Sequence, residues 1–192
     1  PRELRHQFEV HGAVVAIVWD KVADTVAEFP EDVAPSAIVS VRMPDALPLG
    51  KRLALRLPVA KARETREAMT TRPRARGLLE WSDFVRVRKL PRKWPKPRLD
   101  DTALLQLTSG TTGTPKAAIL SHRNLRSNAA QGRAWVPGLT EGGEVFYAVL
   151  PLFHAYGLTL CLTFAISLGA RVVLFPKFDV DAVVAAAAKS KP

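Results

Sequence analysis

Apolar and polar positions change rhythm several times along the chain, and each change marks a different element. Residues 13–19, "AVVAIVW", form a short β-branched run suited to a buried strand. In "DKVADTVAEF" the apolar residues Val22, Val26 and Phe29 recur at helical spacing, and "SAIVSVRM" returns to a strand-like run. Strand, helix and strand with short links predict a parallel pair in an α/β unit over 1–43. Residues 44–98 lose this rhythm. There "GKRLALRLPVAKARETREAM" predicts an amphipathic helical segment interrupted near Pro58, although the alternation over 53–59 suits a strand as well. "RKLPRKWPKPRLDD" predicts a proline-punctuated, extended connector, so 44–98 reads as a basic insertion or linker.

From Thr102 the pattern changes again, and 99–192 reads as a second α/β segment. "TALLQLT" and "KAAILS" read as two strands joined by a loop of glycines and threonines. "SHRNLRSNAAQGRAW" opens like a helix, with Ser121 as N-cap and Asn124 in the first turn. "VFYAVLP" and "RVVLF" are strand candidates flanking "GLTLCLTFAISLG", a buried helix closed by Gly169. "DVDAVVAAAAKSK" predicts a helix capped by Asp179 or Asp181. Between Glu144 and Arg171 no residue carries a formal charge for 26 positions, long enough to span a bilayer. Pro151, His154, Gly157 and Gly169 divide that run into strand, loop and helix, which sets a membrane span aside.

Composition narrows the classes. A length of 192 residues can bury a core of ordinary size, and the chain reads as a piece of a longer protein. One cysteine, Cys161, excludes an internal disulfide framework or a cysteine-built metal cluster and fits a cytoplasmic setting. "PRELRHQFEV" carries no charged-then-apolar signal pattern. The net charge of +10 is uneven: 51–98 hold 16 Lys and Arg against 4 Asp and Glu, and the remainder 12 against 14. Within that segment Leu53, Leu55, Leu57 and Val59 interleave with Lys51, Arg52, Arg56 and Lys61. That mixture of cations and apolar contacts suggests peripheral attachment to the inner face of a membrane through 50–98. Trp81, Phe84 and Trp94 among the arginines raise a nucleic-acid-binding module as a competing class. No nucleic-acid fold pattern accompanies them, and no nucleic-acid partner is expected.

The chemistry concentrates in "LTSGTTGTPKAA", residues 107–118. Gly110 and Gly113 let the backbone turn tightly and approach a ligand without a Cβ in the way. Backbone N–H groups and the hydroxyls of Thr108, Ser109, Thr111, Thr112 and Thr114 can then surround an anion, with Lys116 adding a mobile cation. A Walker loop does not fit, because only two residues separate the glycines and Pro115 precedes Lys116. The plain alternative is a hairpin turn with a surface lysine. His154, beside Phe153, Ala155 and Tyr156, reads either as a packed core histidine or as a site residue. His122 reads as structural, at a helix start, and His6 and His11 lack a carboxylate or cysteine arrangement for a metal.

"TSGTTGTPKAAILSHRNL" (108–125) closely resembles the phosphate-binding signature of the adenylate-forming, AMP-binding superfamily, which includes acyl-CoA synthetases, peptide-synthetase adenylation domains and beetle luciferases. "LPLFHAYGL" (150–158) resembles that superfamily's next motif at the expected spacing, and "ELRHQFEVHGAVVAIVWD" its segment after the first core helices. The resemblance implies part of a large N-terminal α/β domain, with mixed or parallel sheet strands and packed helices. It also implies activation of a carboxylic acid, in the first place a long-chain fatty acid, by ATP. The acyl adenylate would form with release of pyrophosphate, and the acyl group would pass to coenzyme A. By the same resemblance Ser109, Gly110, Thr111, Thr112, Gly113, Thr114 and Lys116 would contact phosphate, and Thr108 would lie near Mg2+. Lys116 and His154 would be the catalytic residues, His154 beside the reacting carboxylate. Ala117 stands where the family usually has glycine. Transfer to a carrier protein instead of coenzyme A is the nearest alternative. The family's later motifs for adenine, ribose and the C-terminal catalytic lysine do not occur in the 192 residues, so this stretch alone is expected to be inactive.

Overall fold

The computed structural model describes residues 2–86, 93–108, 116–175 and 178–189. The chain divides into two compact units, Pro1–Trp94 and Pro95–Pro192.

In the first unit, α1 (Arg2–His11) precedes β1 (Val15–Trp19), α2 (Asp20–Ala27) and β2 (Ala37–Val41). β1 and β2 pair in parallel from Val15 opposite Ala37 to Trp19 opposite Val41, as the strand, helix, strand pattern predicts. Val26 and Ala23 of α2 are fully buried, and Val26 joins Phe8 of α1 and Ala16 of β1 in one apolar cluster with Val22, Phe29 and Ile38 around it. The helical spacing seen in the sequence is thus the stripe that packs on the sheet.

Beyond β2 come a 3-10 turn (Met43–Ala46), α3 (Leu49–Ala54) and α4 (Ala60–Met69), and the interruption read at Pro58 falls between the two helices. No strand forms over 53–59, whose alternation is taken up by α3 and the turns after it. β3 (Leu79–Glu80) adds a third parallel strand beside β2, and α5 (Trp81–Phe84) follows. Neither α1 nor β3 was expected. α1 is mostly polar, and two residues of strand carry no period to read. Of the connector "RKLPRKWPKPRLDD", 88–92 lie outside the described residues, and 94–98 form neither helix nor ladder, as its prolines predict.

Side chains of α2 fasten the later segment to this sheet. Asp20, 1% exposed, accepts a hydrogen bond from the Thr70 hydroxyl and another from Thr71 N at 3.1 Å. Asp24 Oδ1 accepts from the amides of Arg74 and Ala75 at 2.8 and 2.9 Å, and Trp19 Nε1 donates to Met69 O at 2.9 Å. At Asp20 a hydroxyl and an amide replace the lost hydration of Oδ2, while Oδ1 is buried with no hydrogen-bond partner among the described residues.

The second unit begins with the antiparallel pair β4 (Thr102–Thr108) and β5 (Lys116–Ser121), followed by α6 (His122–Trp135). β6 (Val145–Ala148) and β7 (Arg171–Leu174) pair in parallel, Val145 opposite Arg171 through Ala148 opposite Leu174. Between them runs a helix that changes pitch: α7 (Ala155–Gly157), a π-helical stretch (Leu158–Phe164) and α8 (Ala165–Ser167). Cys161, Phe164, Ala165 and Leu168 are buried, and the Phe164 ring meets Phe146 edge-on at 5.5 Å. Gly169 ends this helix at φ +63°, a left-handed conformation that suits glycine. In α9 (Val180–Lys189) the cap is Asp179, whose carboxylate accepts from Ala182 N at 2.8 Å. Among the described residues no helix is long and apolar enough to cross a membrane.

Candidate functional site

The glycine and threonine-rich loop is carried at the end of the β4–β5 hairpin. Leu104 to Thr108 pair in register with Leu120 to Lys116, so the last described rung sets Thr108 opposite Lys116. Thr108 Oγ1 closes that rung by donating to Lys116 O at 3.2 Å, and both side chains are exposed. Of the loop residues singled out from the sequence, Ser109, Gly110, Thr111, Thr112, Gly113 and Thr114 lie outside the described residues. Strands flank the loop on both sides, so the cation and hydroxyls at its base are held by a ladder and not by the start of a helix.

Ala117 stands opposite Leu107 within regular β pairing, and no described residue other than glycine has a positive φ. A methyl group at 117 is therefore accommodated as any strand side chain is.

The second motif reaches this hairpin through one side chain. Gln106, two residues before Thr108 on β4, donates from Nε2 to Phe153 O at 3.0 Å. That bond fixes the backbone next to His154. His154 N donates to Pro151 O at 3.1 Å, and His154 Nδ1 accepts from Tyr156 N at 3.3 Å, capping the short α7. With Nδ1 occupied as an acceptor, the neutral ring carries its proton on Nε2 and presents an N–H donor. His154 is exposed, as are Phe153 and Tyr156 at 83% and 60%, so the ring does not pack in a core within this unit.

Gly157 explains the tightness of this motif. A Cβ there would collide with Pro151 O, and it would lie 2.8 Å from Pro151 C and 3.2 Å from Leu150 O. Only glycine lets α7 start directly against the Leu150–Pro151 backbone. Gln106 and Gly157 are the positions that reading for ligand contacts alone passes over: their work is to hold backbone, and a glycine inside a helix start is the one visible signal.

The other flank of the hairpin is fixed by α6. Ser121 Oγ accepts from Asn124 N at 3.2 Å, as expected of the N-cap, and Asn124 Oδ1 accepts from Ser121 N at 2.9 Å, which completes a reciprocal capping box. Arg123 grips Asp100 through Nε and Nη2 at 2.7 and 2.8 Å. Its hydrogen bonds, and then its charge, hold the Asp100 carboxyl below the usual carboxylate range. His122, first residue of α6, is anchored through its backbone, its N donating to Asp101 O at 3.2 Å. Among the described residues no three His, Cys, Asp or Glu side chains gather as a metal site, and His11 Nδ1 is taken by Ala13 N at 3.0 Å.

The family profile described as AMP-binding enzyme matches residues 1–192. A long-chain-fatty-acid–CoA ligase of Bacillus subtilis (strain 168) is 43% identical over 86 residues, covering 43% of this chain and 15% of its own. A long-chain-fatty-acid–CoA ligase of Yersinia pestis is 34% identical over 178 residues, covering 91% of this chain and 31% of its own. Among solved structures, the anthranilate CoA ligase AuaEII in complex with anthranoyl-AMP superposes with a TM-score of 0.72 at 22% identity, covering 100% of this chain and 32% of that one. The shared fold is that of the N-terminal domain of adenylate-forming enzymes. The chain spans about a third, or less, of the length of the curated relatives it matches.

Proposed function

The chain belongs to the AMP-binding enzyme family, and we propose that the protein it represents activates a carboxylic acid with ATP, a long-chain fatty acid in the first place, and passes the acyl group to coenzyme A. In the first step a carboxylate oxygen attacks the α-phosphorus, the bond to the β-phosphate oxygen breaks, and pyrophosphate leaves. In the second the thiol sulfur attacks the acyl carbonyl, AMP leaves, and the thiol proton is released. The observation that carries this reading is the Gln106 bond to Phe153 O, which sets the motif at 150–158 beside the strand that ends in the phosphate signature.

Each residue has a part in the proposal. The amides and hydroxyls of 109–114, with Lys116, hold the β- and γ-phosphates so that the leaving pyrophosphate is oriented and its charge offset. Thr108, whose hydroxyl proton is spent on Lys116 O, keeps oxygen lone pairs outward and would serve as a ligand for Mg2+. When bound, that ion would neutralise phosphate charge. His154 offers its Nε2–H to the acyl oxygen. The fatty-acid assignment rests on the names of the two relatives.

The test is acid-dependent exchange of labelled pyrophosphate into ATP by the full-length protein, run with palmitate, a medium-chain acid and benzoate, then thioester formation with free coenzyme A. Palmitate-dependent exchange and palmitoyl-CoA are the expected results. Exchange without thioester would favour a carrier-protein acceptor, and no exchange with any acid would remove the reading. The 192-residue chain by itself is expected to show none.

A second reading concerns attachment to membrane. Leu49, Leu53, Leu57 and Val59, on and after α3, are 51–68% exposed among Lys51, Arg52, Arg56 and Lys61. Near an anionic leaflet each basic residue contributes about 1 kcal/mol, enough in combination with apolar contact for reversible docking. Cosedimentation with anionic but not neutral vesicles, weakened by salt and by Leu53→Ser with Leu57→Ser, is expected. Equal binding to both lipids, or to neither, would end it.

A further inference from the structure

Within Pro1–Trp94 a cavity of about 160 Å3 shares Arg52 and Arg56 with the membrane reading but no residue with the candidate site. Four guanidinium groups line it, from Arg42, Arg52, Arg56 and Arg66, against one carboxylate, Asp45. They converge from separate pieces of chain: Arg42 follows the last residue of β2, Arg52 sits in α3, Arg56 in the turn after it, and Arg66 in the last turn of α4. Arg66 is oriented by donating from Nη1 to Leu55 O at 2.8 Å, and Arg52 pairs with Asp45 at 3.3 Å. Among the described residues the guanidinium groups of Arg42 and Arg56 have neither a carboxylate nor a carbonyl partner.

Its position is informative. A neighbouring open cavity shares Arg42, Arg66 and Thr70 and is lined further by Thr71, Glu67, Arg72 and Glu80, the last residue of β3. Thr70 and Thr71 are the residues that hold Asp20, the first residue after β1. Both cavities thus lie outside the carboxyl ends of a parallel sheet, where open α/β sheets bind their ligands. Like charges crowded at one place repel, and an entering anion removes that repulsion. Guanidinium forks match the oxygens of a tetrahedral phosphate in bidentate geometry. The volume falls below the range of about 300–1,000 Å3 that whole drug-sized ligands occupy, so one phosphate group fits and a complete nucleotide does not.

We propose that Arg42, Arg52, Arg56 and Arg66 form an anion site that takes the phosphate group of a phosphorylated ligand and shares no residue with the loop at 108–116.

Titration calorimetry of inorganic phosphate into the full chain, at low ionic strength in a phosphate-free buffer, tests it. A saturable site is expected in addition to any phosphate taken up by the loop at 108–116. Arg42→Ala with Arg56→Ala should weaken it about tenfold or more, whereas Arg63→Ala with Arg98→Ala, which removes the same charge elsewhere, should change it less than about twofold. Circular dichroism checks that both pairs fold, and Arg56→Gln alone, on an exposed turn, carries the test if the first pair does not. Vesicles of phosphatidylcholine with phosphatidic acid identify the source of the phosphate. Vesicle binding that phosphate competes away and the first pair abolishes points to a lipid headgroup, and vesicle binding indifferent to both points to a soluble phosphate. Equal weakening by the two pairs, or no saturable phosphate binding, overturns the proposal.

Discussion

The first unit is held by side chains reaching across about fifty residues of sequence, and the second mostly by partners a few residues apart. In the first, Trp19, Asp20 and Asp24 clasp the backbone or side chains of Met69, Thr70, Thr71, Arg74 and Ala75. In the second, Thr108 bonds Lys116, Ser121 bonds Asn124, His154 bonds Tyr156 and Asp179 bonds Ala182. Gln106 to Phe153, 47 residues apart, is the long tether there, and it joins the two motifs of the candidate site. Distant tethers concentrate stability in a few side chains, of which Asp20 is buried. Local ones distribute it and leave exposed polar groups at loop ends, which is what a ligand site requires.

The largest effect should come from the site, without cost to the fold. In the full-length protein Lys116→Ala is expected to slow pyrophosphate exchange about 10²–10³-fold, the loss usual when one charge-stabilising donor is removed. Because Lys116 is exposed, the melting temperature should stay within about 1 °C of wild type. Unchanged exchange would take the hairpin out of the reaction.

In the first unit the order reverses, with stability lost and no site touched. Asp20→Ala removes the acceptor of the half-buried Thr70 hydroxyl and the Thr71 amide, at a cost of about 1–3 kcal/mol in urea unfolding. A loss below about 0.5 kcal/mol would mean that the long tethers do not carry this unit.

Gly157→Ala tests both at once. The added methyl would press on the Pro151 backbone, costing about 1–3 kcal/mol and displacing His154. Turnover should fall further than the stability loss accounts for, and Gln106→Leu, which frees Phe153 O, should lower turnover with less loss of stability. A Gly157→Ala protein of normal melting temperature would show that the close approach is not needed.

The same contrast decides what could be read from the chain. The parallel pair, the hairpin and the Ser121 cap were legible because each depends on a short run: a β-branched strand, a helical stripe at Val22 and Val26, a serine three residues before an asparagine. The long tethers were not, since nothing local in "AMTTRPRAR" says that its amides will meet Asp20 and Asp24. β3, α1 and the π-helical stretch escaped for related reasons. Two residues hold no period, a helix that is mostly polar around Leu4 and Phe8 reads as surface, and the change of pitch lies where Cys161 and Phe164 are buried. At the site the hairpin base, Thr108 opposite Lys116, was legible, whereas 109–114 lie outside the described residues and the bond from Gln106 to Phe153 O had no local signal.

The smallest expected effect concerns an ion pair of the second unit that has no counterpart among the buried tethers of the first. Arg123 holds Asp100 in a two-pronged grip, and its hydrogen bonds first, then its charge, keep the carboxyl below its ordinary value. A carboxyl depressed in the folded state contributes stability that is complete above the unfolded value and is lost as pH falls through the folded one. Wild-type stability should therefore decline through the acid range in part because Asp100 takes up a proton. Asp100→Asn, lacking that proton, should flatten the decline there and change little near neutrality. Both side chains are more than half exposed, so water and salt screen the pair. The difference between the two proteins should be small in dilute buffer and smaller still in 0.5 M salt (a Debye length of roughly 4 Å). Urea midpoints measured from acid to neutral pH at both ionic strengths would show it, and superimposed curves would mean that the hairpin's flank is held by the Ser121 cap and the backbone bonds of Leu99 and Asp101 alone.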